Sequence, residues 1–305
     1  MKIPPPLQKG DKVALVATAR KVDTQLINTA VKWLEAIGLE AVCGHSLFAE
    51  AHQFAGEDIN RAKDLQHACD DPTIRAIWCV RGGYGTVRIL DLCDFSKLIA
   101  QPKWLIGYSD VTVLHAALNN LGLATIHGPM ASELRTMPTA ITHALKNLLF
   151  KNTLQHSWEF TQKPILYTTS VCRVTAPIVG GNLSVLYSLC GSKTALNTAN
   201  KILFLEDVDE YLYHIDRMMQ NLKRNGVLKN LKAILVGGFT KMHDNKVPFG
   251  STAEAIIANA VAPYKVPVVF NFPAGHIANN LPFVLGGTYS LTIKPSSASM
   301  VYNTI

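Results

Sequence analysis

The strongest constraint on what this chain can fold into is an alternation confined to its first half. Short apolar runs at 13–17, 41–43, 74–80, 104–107 and 124–126 are separated by segments of helical period. Runs without polar alternation suit strands buried on both faces, which occur in parallel sheets covered by helices. The segment 24–37 puts Leu26, Ile27, Ala30, Val31, Leu34 and Ile37 on one helical face, and Gly38 stops it. Further helices are predicted over 57–68, from Gly85 through Ile89, over 110–121 and over 139–150. The pattern predicts an α/β fold with a parallel sheet in residues 1–150.

After Phe150 the character changes. Residues 151–170 are polar, mixed and strand-like, without a helical period, and they read as a linker region. Beyond it, residues 171–305 form a second domain, mixed and richer in strands. Strands are expected at 202–205, 233–236, 268–270 and 288–293, with helices over 213–222 and 252–261.

Bulk properties exclude several function classes. The 305 residues carry a formal charge of +7, but Lys and Arg are dispersed, with no basic block or aromatic-rich basic stripe. Nucleic-acid binding therefore lacks a footprint, while a diffuse positive field suits small substrates bearing several carboxylates. No run approaches the ~20 apolar residues needed to span a bilayer. Prolines 4 to 6 together with Lys9, Asp11 and Lys12 interrupt any signal-peptide core, so the cytoplasm is the expected compartment. The six cysteines include no Cys-x-x-Cys pair, which argues for reduced thiols and against a cysteine-ligated metal.

Ser109, in Gly107-Tyr108-Ser109-Asp110, lies between an apolar strand and a helix. A nucleophile on such a turn stands beyond the carboxyl end of the sheet, where open α/β sheets bind ligands. The backbone N–H of Asp110 could meet an oxyanion formed there. Arg81-Gly82-Gly83-Tyr84-Gly85 also follows a strand, and its glycines permit close backbone approach. That segment could supply a second oxyanion donor or grip a carboxylate. It is not a dinucleotide fingerprint, and Ala17-Thr18-Ala19-Arg20 after the first strand has no glycine, so a dinucleotide oxidoreductase is not expected. Each motif taken singly has a plainer reading: a helix-capping serine and an ordinary turn.

A nucleophilic serine needs a base, and the base an orienting acid. Of ten histidines, His115 reads as a core residue and His214 as a surface position, whereas His276 sits on a Gly/Pro loop after a strand. Glu206 follows the apolar run 202–205 and is the best orienting acid, although Glu206-Asp207-Val208-Asp209-Glu210 could equally be a solvated acidic loop.

These segments resemble the LD-carboxypeptidases, a family of serine peptidases that includes muramoyltetrapeptide carboxypeptidase and the microcin C immunity peptidase. The resemblance rests on Gly10-Asp11-Lys12-Val13-Ala14, Phe54-Ala55-Gly56-Glu57-Asp58 with Arg61, the segment from Arg81 to Gly85, and Gly107-Tyr108-Ser109-Asp110-Val111-Thr112. It continues through His127-Gly128-Pro129-Met130, Gly180-Gly181-Asn182-Leu183-Ser184, Leu205-Glu206-Asp207 and Gly275-His276. It implies a Rossmann-like first domain, a smaller β-rich second domain, and an active site between them. Ser109, Glu206 and His276 would be the triad, with oxyanion donors at the backbone N–H groups of Asp110 and Gly83. Arg81, Gly82, Tyr84 and Asn182 are the candidate substrate neighbours, Arg81 because a guanidinium can clasp a carboxylate. One departure is the Ala17-Thr18-Ala19-Arg20 loop, where many members carry Pro-Ser after the alanine.

The implied function is a cytoplasmic serine-type carboxypeptidase releasing terminal D-alanine from murein tetrapeptides in peptidoglycan recycling. It would work as a homodimer, without metal or cofactor and without nucleic-acid or membrane partners. A microcin C immunity-type peptidase cleaving peptidyl-nucleotides uses the same chemistry on another substrate. The reading from a different class is a non-catalytic peptide-binding protein that kept the fold.

Overall fold

The computed structural model describes residues 1–151, 158–161, 171–294 and 297–302. The chain divides into two compact units, Met1–Asn152 with Leu281–Val284, and Thr153–Asn280 with Leu285–Ile305. Of the predicted linker, 152–157 and 162–170 lie outside the described residues.

In the first unit the elements follow the alternation of the sequence. They are β1 (Lys12–Val16), α1 (Thr24–Ala36), β2 (Glu40–Cys43), α2 (Asp58–Asp70), β3 (Ile74–Cys79), α3 (Thr86–Leu90), α4 (Ser96–Ala100), β4 (Trp104–Gly107), α5 (Thr112–Asn120), β5 (Thr125–His127) and α6 (Thr139–Lys151). β4 and β5 are buried along their whole length, and β1 and β3 nearly so, which is why β1, β3 and β4 read as almost wholly apolar runs. Asp23 caps α1, its side chain accepting from the Gln25 N–H, and Gly38 follows the helix with φ +85°.

The sheet order is β2-β1-β3-β4-β5, with every one of these neighbours parallel. This Rossmann-like order reverses direction between β1 and β3, and ligands of such sheets bind beyond the carboxyl strand ends at that switch. The loop after β1 (17–20), the glycine-rich loop after β3 (81–85) and the turn after β4 (108–111) share that end. A late strand, β11 (Phe283–Leu285), flanks β5; its short span gave no separate signal in the sequence.

The second unit contains β6 (Trp158–Thr161), β7 (Cys172–Asn182), α7 (Leu183–Leu189), β8 (Ile202–Val208), α8 (Leu212–Arg224), β9 (Ala233–Thr240), α9 (Ala253–Val261), β10 (Val268–Val269), β12 (Thr288–Ile293) and β13 (Ser297–Tyr302). They form one mixed sheet ordered β10-β9-β8-β7-β12-β13-β6. β10, β9, β8 and β7 run parallel, while β12, β13 and β6 extend the sheet antiparallel. The eleven-residue β7 joins the two halves, and no strand pattern in the sequence predicts it. Its first half alternates exposure as an antiparallel strand does, and its last residues are buried as in a parallel one, so no single period runs through it.

Candidate active site

Ser109 stands where β4 gives way to helix. Gly107 ends the strand, Tyr108 is extended, and Ser109 has φ +57° before a single 3-10 turn leads into α5. A non-glycine residue in the left-handed region costs about 1–2 kcal/mol, and such strain recurs at functional turns. Ser109 is not a helix cap: Tyr108 occupies the cap of the 3-10 turn and Val111 that of α5. A Cβ built on Gly82 would lie 3.5 Å from the Ser109 Oγ and 3.3 Å from its Cβ, so the glycine-rich loop passes directly over the serine. Gly83, with φ +107°, holds a conformation that side-chain-bearing residues rarely adopt.

Asp110 is buried, and its carboxylate accepts from the Thr86 backbone N–H at 2.8 Å. Burial pushes its pKa up, against the hydrogen bonds from Thr86 that pull it down. The Thr86 hydroxyl in turn lies 2.9 Å from that of Thr18, in the loop after β1. The turn after β4 is therefore tied to the loops after β3 and β1 by buried polar contacts.

In the second unit, Glu206 and His276 meet across seventy residues of sequence. Glu206 is fully buried, and its Oε2 accepts both the ring Nδ1–H of His276, at 2.6 Å, and the His276 backbone N–H, at 3.1 Å. A carboxylate on Nδ1 keeps the proton there and leaves Nε2 as the basic nitrogen. Gly275 makes the approach possible: with φ +105°, a Cβ there would sit 2.7 Å from the Glu206 Cβ. The Gly275 N–H donates to Asn280 Oδ1 at 2.9 Å, and Thr240 Oγ1 donates to the His276 carbonyl at 3.0 Å. The loop is held from both sides.

The apolar run 202–205 places Glu206 just after a strand; β8 in fact continues to Val208, so Glu206 and Asp207 alternate across it. Asp207 takes different partners. It accepts from Asn182 Nδ2, from the Ser184 N–H and from the Val208 N–H, each at 2.9 Å. Burial first, and the neighbouring Glu206 charge second, push its pKa up to about 7.

The substrate-neighbour candidates divide. Asn182 is buried; its amide donates to Asp207 and caps α7 by accepting from the Val185 N–H at 3.1 Å, so its side chain braces the unit. Arg81 is exposed and donates to the Lys21 carbonyl at 2.9 Å. Tyr84 is exposed, its ring 6.2 Å from that of Phe54. His115 is a core residue, its nitrogens engaged by Thr125 Oγ1 and the Gly107 carbonyl, and burial drops its pKa to about 4. His214 pairs with Glu210 at 2.6 Å. Among the described residues no group of three or more His, Cys, Asp or Glu could hold a metal ion, and no helix is long and apolar enough to cross a membrane.

Residues 13–128 match the LD-carboxypeptidase N-terminal domain, and residues 175–291 the LD-carboxypeptidase C-terminal domain. The chain belongs to the LD-carboxypeptidase family. It is an enzyme, a hydrolase of the serine carboxypeptidase type. Over 97% of its length it is 34% identical to a "Probable murein peptide carboxypeptidase" of Bacillus subtilis, 93% of which is covered. It is 32% identical to the "Murein tetrapeptide carboxypeptidase" of Pseudomonas aeruginosa, over 91% of this chain and 92% of that one. A muramoyltetrapeptide carboxypeptidase from Oxalobacter formigenes shares the fold, with a TM-score of 0.82 at 24% identity, covering 96% of this chain and 99% of that one. In this LD-carboxypeptidase the residues that composition alone did not flag are Thr18 and Thr86, whose only sequence signal is their place next to strand-end loops.

Proposed function

We propose that this protein removes the terminal D-alanine from murein tetrapeptides, with Ser109 as nucleophile, His276 as general base and acid, and Glu206 as the orienting acid. The observation that carries the reading is the Glu206–His276 pair. A fully buried carboxylate that accepts both the ring and the backbone N–H of one histidine sets the tautomer that a base requires. The strained left-handed turn at Ser109, with a glycine-rich loop laid against its hydroxyl, supports the nucleophile.

In this mechanism His276 Nε2 takes the Ser109 proton as Oγ attacks the penultimate carbonyl carbon. The imidazolium is stabilised by Glu206, and the oxyanion is met by the backbone N–H groups of Asp110 and Gly83. Collapse breaks the peptide bond, D-alanine leaves with the proton from His276, and water then resolves the acyl-enzyme with the roles repeated. The same reading makes the enzyme a cytoplasmic homodimer acting on recycled peptidoglycan fragments, with Arg81, Gly82, Tyr84 and Asn182 beside the bound peptide.

The test is release of free D-alanine from a murein tetrapeptide by the parent and by Ser109→Ala. Loss of at least about 10³-fold in kcat with binding retained is expected. Release by Ser109→Ala at near the parent rate would overturn the mechanism. Preferential turnover of an aminoacyl-sulfamoyl adenosine would replace the substrate but keep the chemistry.

A further inference from the structure

One charged stretch in the first unit is not used by the mechanism: the segment from Phe54 to Arg61. Arg61 is fully buried, and a buried cation is tolerated only when paired and hydrogen-bonded. Its Nη1 donates to the carbonyls of Thr18 and Gly85, and its Nη2 to Asp58. The same Asp58 carboxylate is gripped by Arg88, whose Nε reaches both oxygens at 2.9 and 3.0 Å and whose Nη2 lies 2.7 Å from Oδ2. Both guanidiniums also cover the Phe54 ring, at 5.0 and 5.2 Å from its centroid. Asp58 is consequently held below the usual carboxylate range, mainly by its hydrogen bond with Arg88.

This cluster bears on one place. Gly85 has φ +139°, and a Cβ there would come within 3.0 Å of Arg61 Nη1 and 3.1 Å of the Phe54 ring, so only glycine lets the loop descend onto the guanidinium. The next residue, Thr86, donates its N–H to Asp110, the neighbour of Ser109. At the other end of the loop Gly82 lies against the Ser109 side chain. A continuous path of contacts therefore runs from Arg88 through Asp58 and Arg61 to Gly85, Thr86 and Asp110.

We infer that Asp58, Arg61 and Arg88 are positioning residues, a clamp that holds the glycine-rich loop 82–85 where its backbone can stabilise the oxyanion at Ser109; this rests on the carboxypeptidase reading above. The guanidinium suits the task, because its fork of several fixed donors holds two carbonyls and a carboxylate at once, a geometry a lysine ammonium does not pre-organise. Arg61 touches no reacting atom. Its contribution is to remove the slack of a loop whose glycines would otherwise sample many conformations.

The test compares the full-length parent with Arg61→Met, Arg61→Lys and Arg88→Met. Five quantities are read: kcat and KM for D-alanine release from a murein tetrapeptide, the rate of Ser109 labelling by an alkyl fluorophosphonate, the melting temperature, and amide hydrogen exchange at Gly85 and Thr86. A misplacement of about 1 Å in a catalytic group costs on the order of 100-fold, so Arg61→Met should lose kcat by about that factor. KM should stay within about threefold, labelling should slow in parallel, and Arg61→Lys should not restore the rate. Arg88 is half-exposed, so Arg88→Met tests the outer part of the clamp even if the Arg61 variants fail to fold; its kcat should fall by about three- to tenfold, with faster exchange at Gly85 and Thr86. Folded variants whose kcat, labelling and loop exchange match the parent, whatever their melting temperature, would overturn the clamp. A parent that neither releases D-alanine nor labels at Ser109 would instead sink the catalytic reading, and the exchange data would still decide whether the clamp orders the loop.

Discussion

Replacing Glu206 by Gln changes one oxygen for one amide group and leaves the volume of the site nearly unchanged, yet the mechanism requires it to be severe. Both His276 N–H groups converge on Oε2, so the glutamine oxygen can keep them only by placing its NH2 where Oε1 now lies. Oε1 is buried and has no hydrogen-bond partner among the described residues, so a donor put there is unsatisfied, at a cost of about 1–3 kcal/mol in stability. In the opposite orientation the NH2 faces two other donors and forces His276 out of the tautomer it needs. Even the better orientation removes the counter-charge of the imidazolium. With charge centres ~4 Å apart and an effective permittivity of ~20, that interaction is worth about 4 kcal/mol, or about 10³-fold in rate. Screening by solvent does not rescue it, since Glu206 is fully buried and the His276 side chain is only 19% exposed. The assay is D-alanine release at saturating tetrapeptide, with KM measured separately and folding checked by a cooperative melt. A kcat lowered by 10³ to 10⁴ with KM within about threefold is expected. A folded Glu206→Gln enzyme with kcat within tenfold of the parent would show that His276 does not depend on this carboxylate, and the proposed roles would have to be abandoned.

Two further outcomes bear on the second unit. Gly180 has φ +138°, and a Cβ there would fall 2.0 Å from the Phe204 carbonyl oxygen, a backbone atom that cannot yield without parting β7 from β8. Gly180→Ala should therefore cost about 3 kcal/mol or more in urea unfolding, and a loss below about 1 kcal/mol would contradict the packing described. Asp207 keeps its proton in the native state up to about pH 7, whereas the unfolded chain releases it near pH 4, so native stability falls as pH rises through that window. Asp207→Asn lacks this proton linkage, and the stability difference between parent and variant should shift by on the order of 2 kcal/mol in favour of the variant between pH 5 and pH 8. A difference that stays constant across that range would mean that Asp207 is ionised throughout.

How much of this was legible in the sequence varies by segment. The predicted strand 104–107 coincides with β4, and the run 13–17 is displaced by a single residue from β1, because strands buried on both faces leave an apolar signature that needs no knowledge of neighbours. The helix expected over 110–121 is instead a 3-10 turn followed by α5, since the left-handed Ser109 prevents the helix from starting where propensity alone would start it. β13 gave no separate signal, and β6 lies within the strand-like stretch 151–170 read as a linker; β13 joins it to β12 in the antiparallel part of the sheet. The acidic run 206–210 was ambiguous between strand end and solvated loop; pairing with β7 and β9 carries the backbone through Val208 and buries its first two carboxylates.

By itself the sequence determined the local facts: where strands and helices lie in the first half, that a serine, a glycine-rich loop and a histidine loop each follow a strand, and which family pattern they make. Tertiary structure alone decided the partnerships. Residue alternation along β8 sends Glu206 to His276 and Asp207 to Asn182, and the order β2-β1-β3-β4-β5 gathers three loops at one sheet end. Burial of Arg61 beneath the glycine-rich loop was equally invisible, because an arginine on a polar helix reads as solvated until the Gly85 carbonyl and the Asp58 carboxylate, which Arg88 also grips, close over it. Periodicity is written in neighbouring residues, whereas the choice of a partner seventy positions away is made by non-local packing that no single segment encodes.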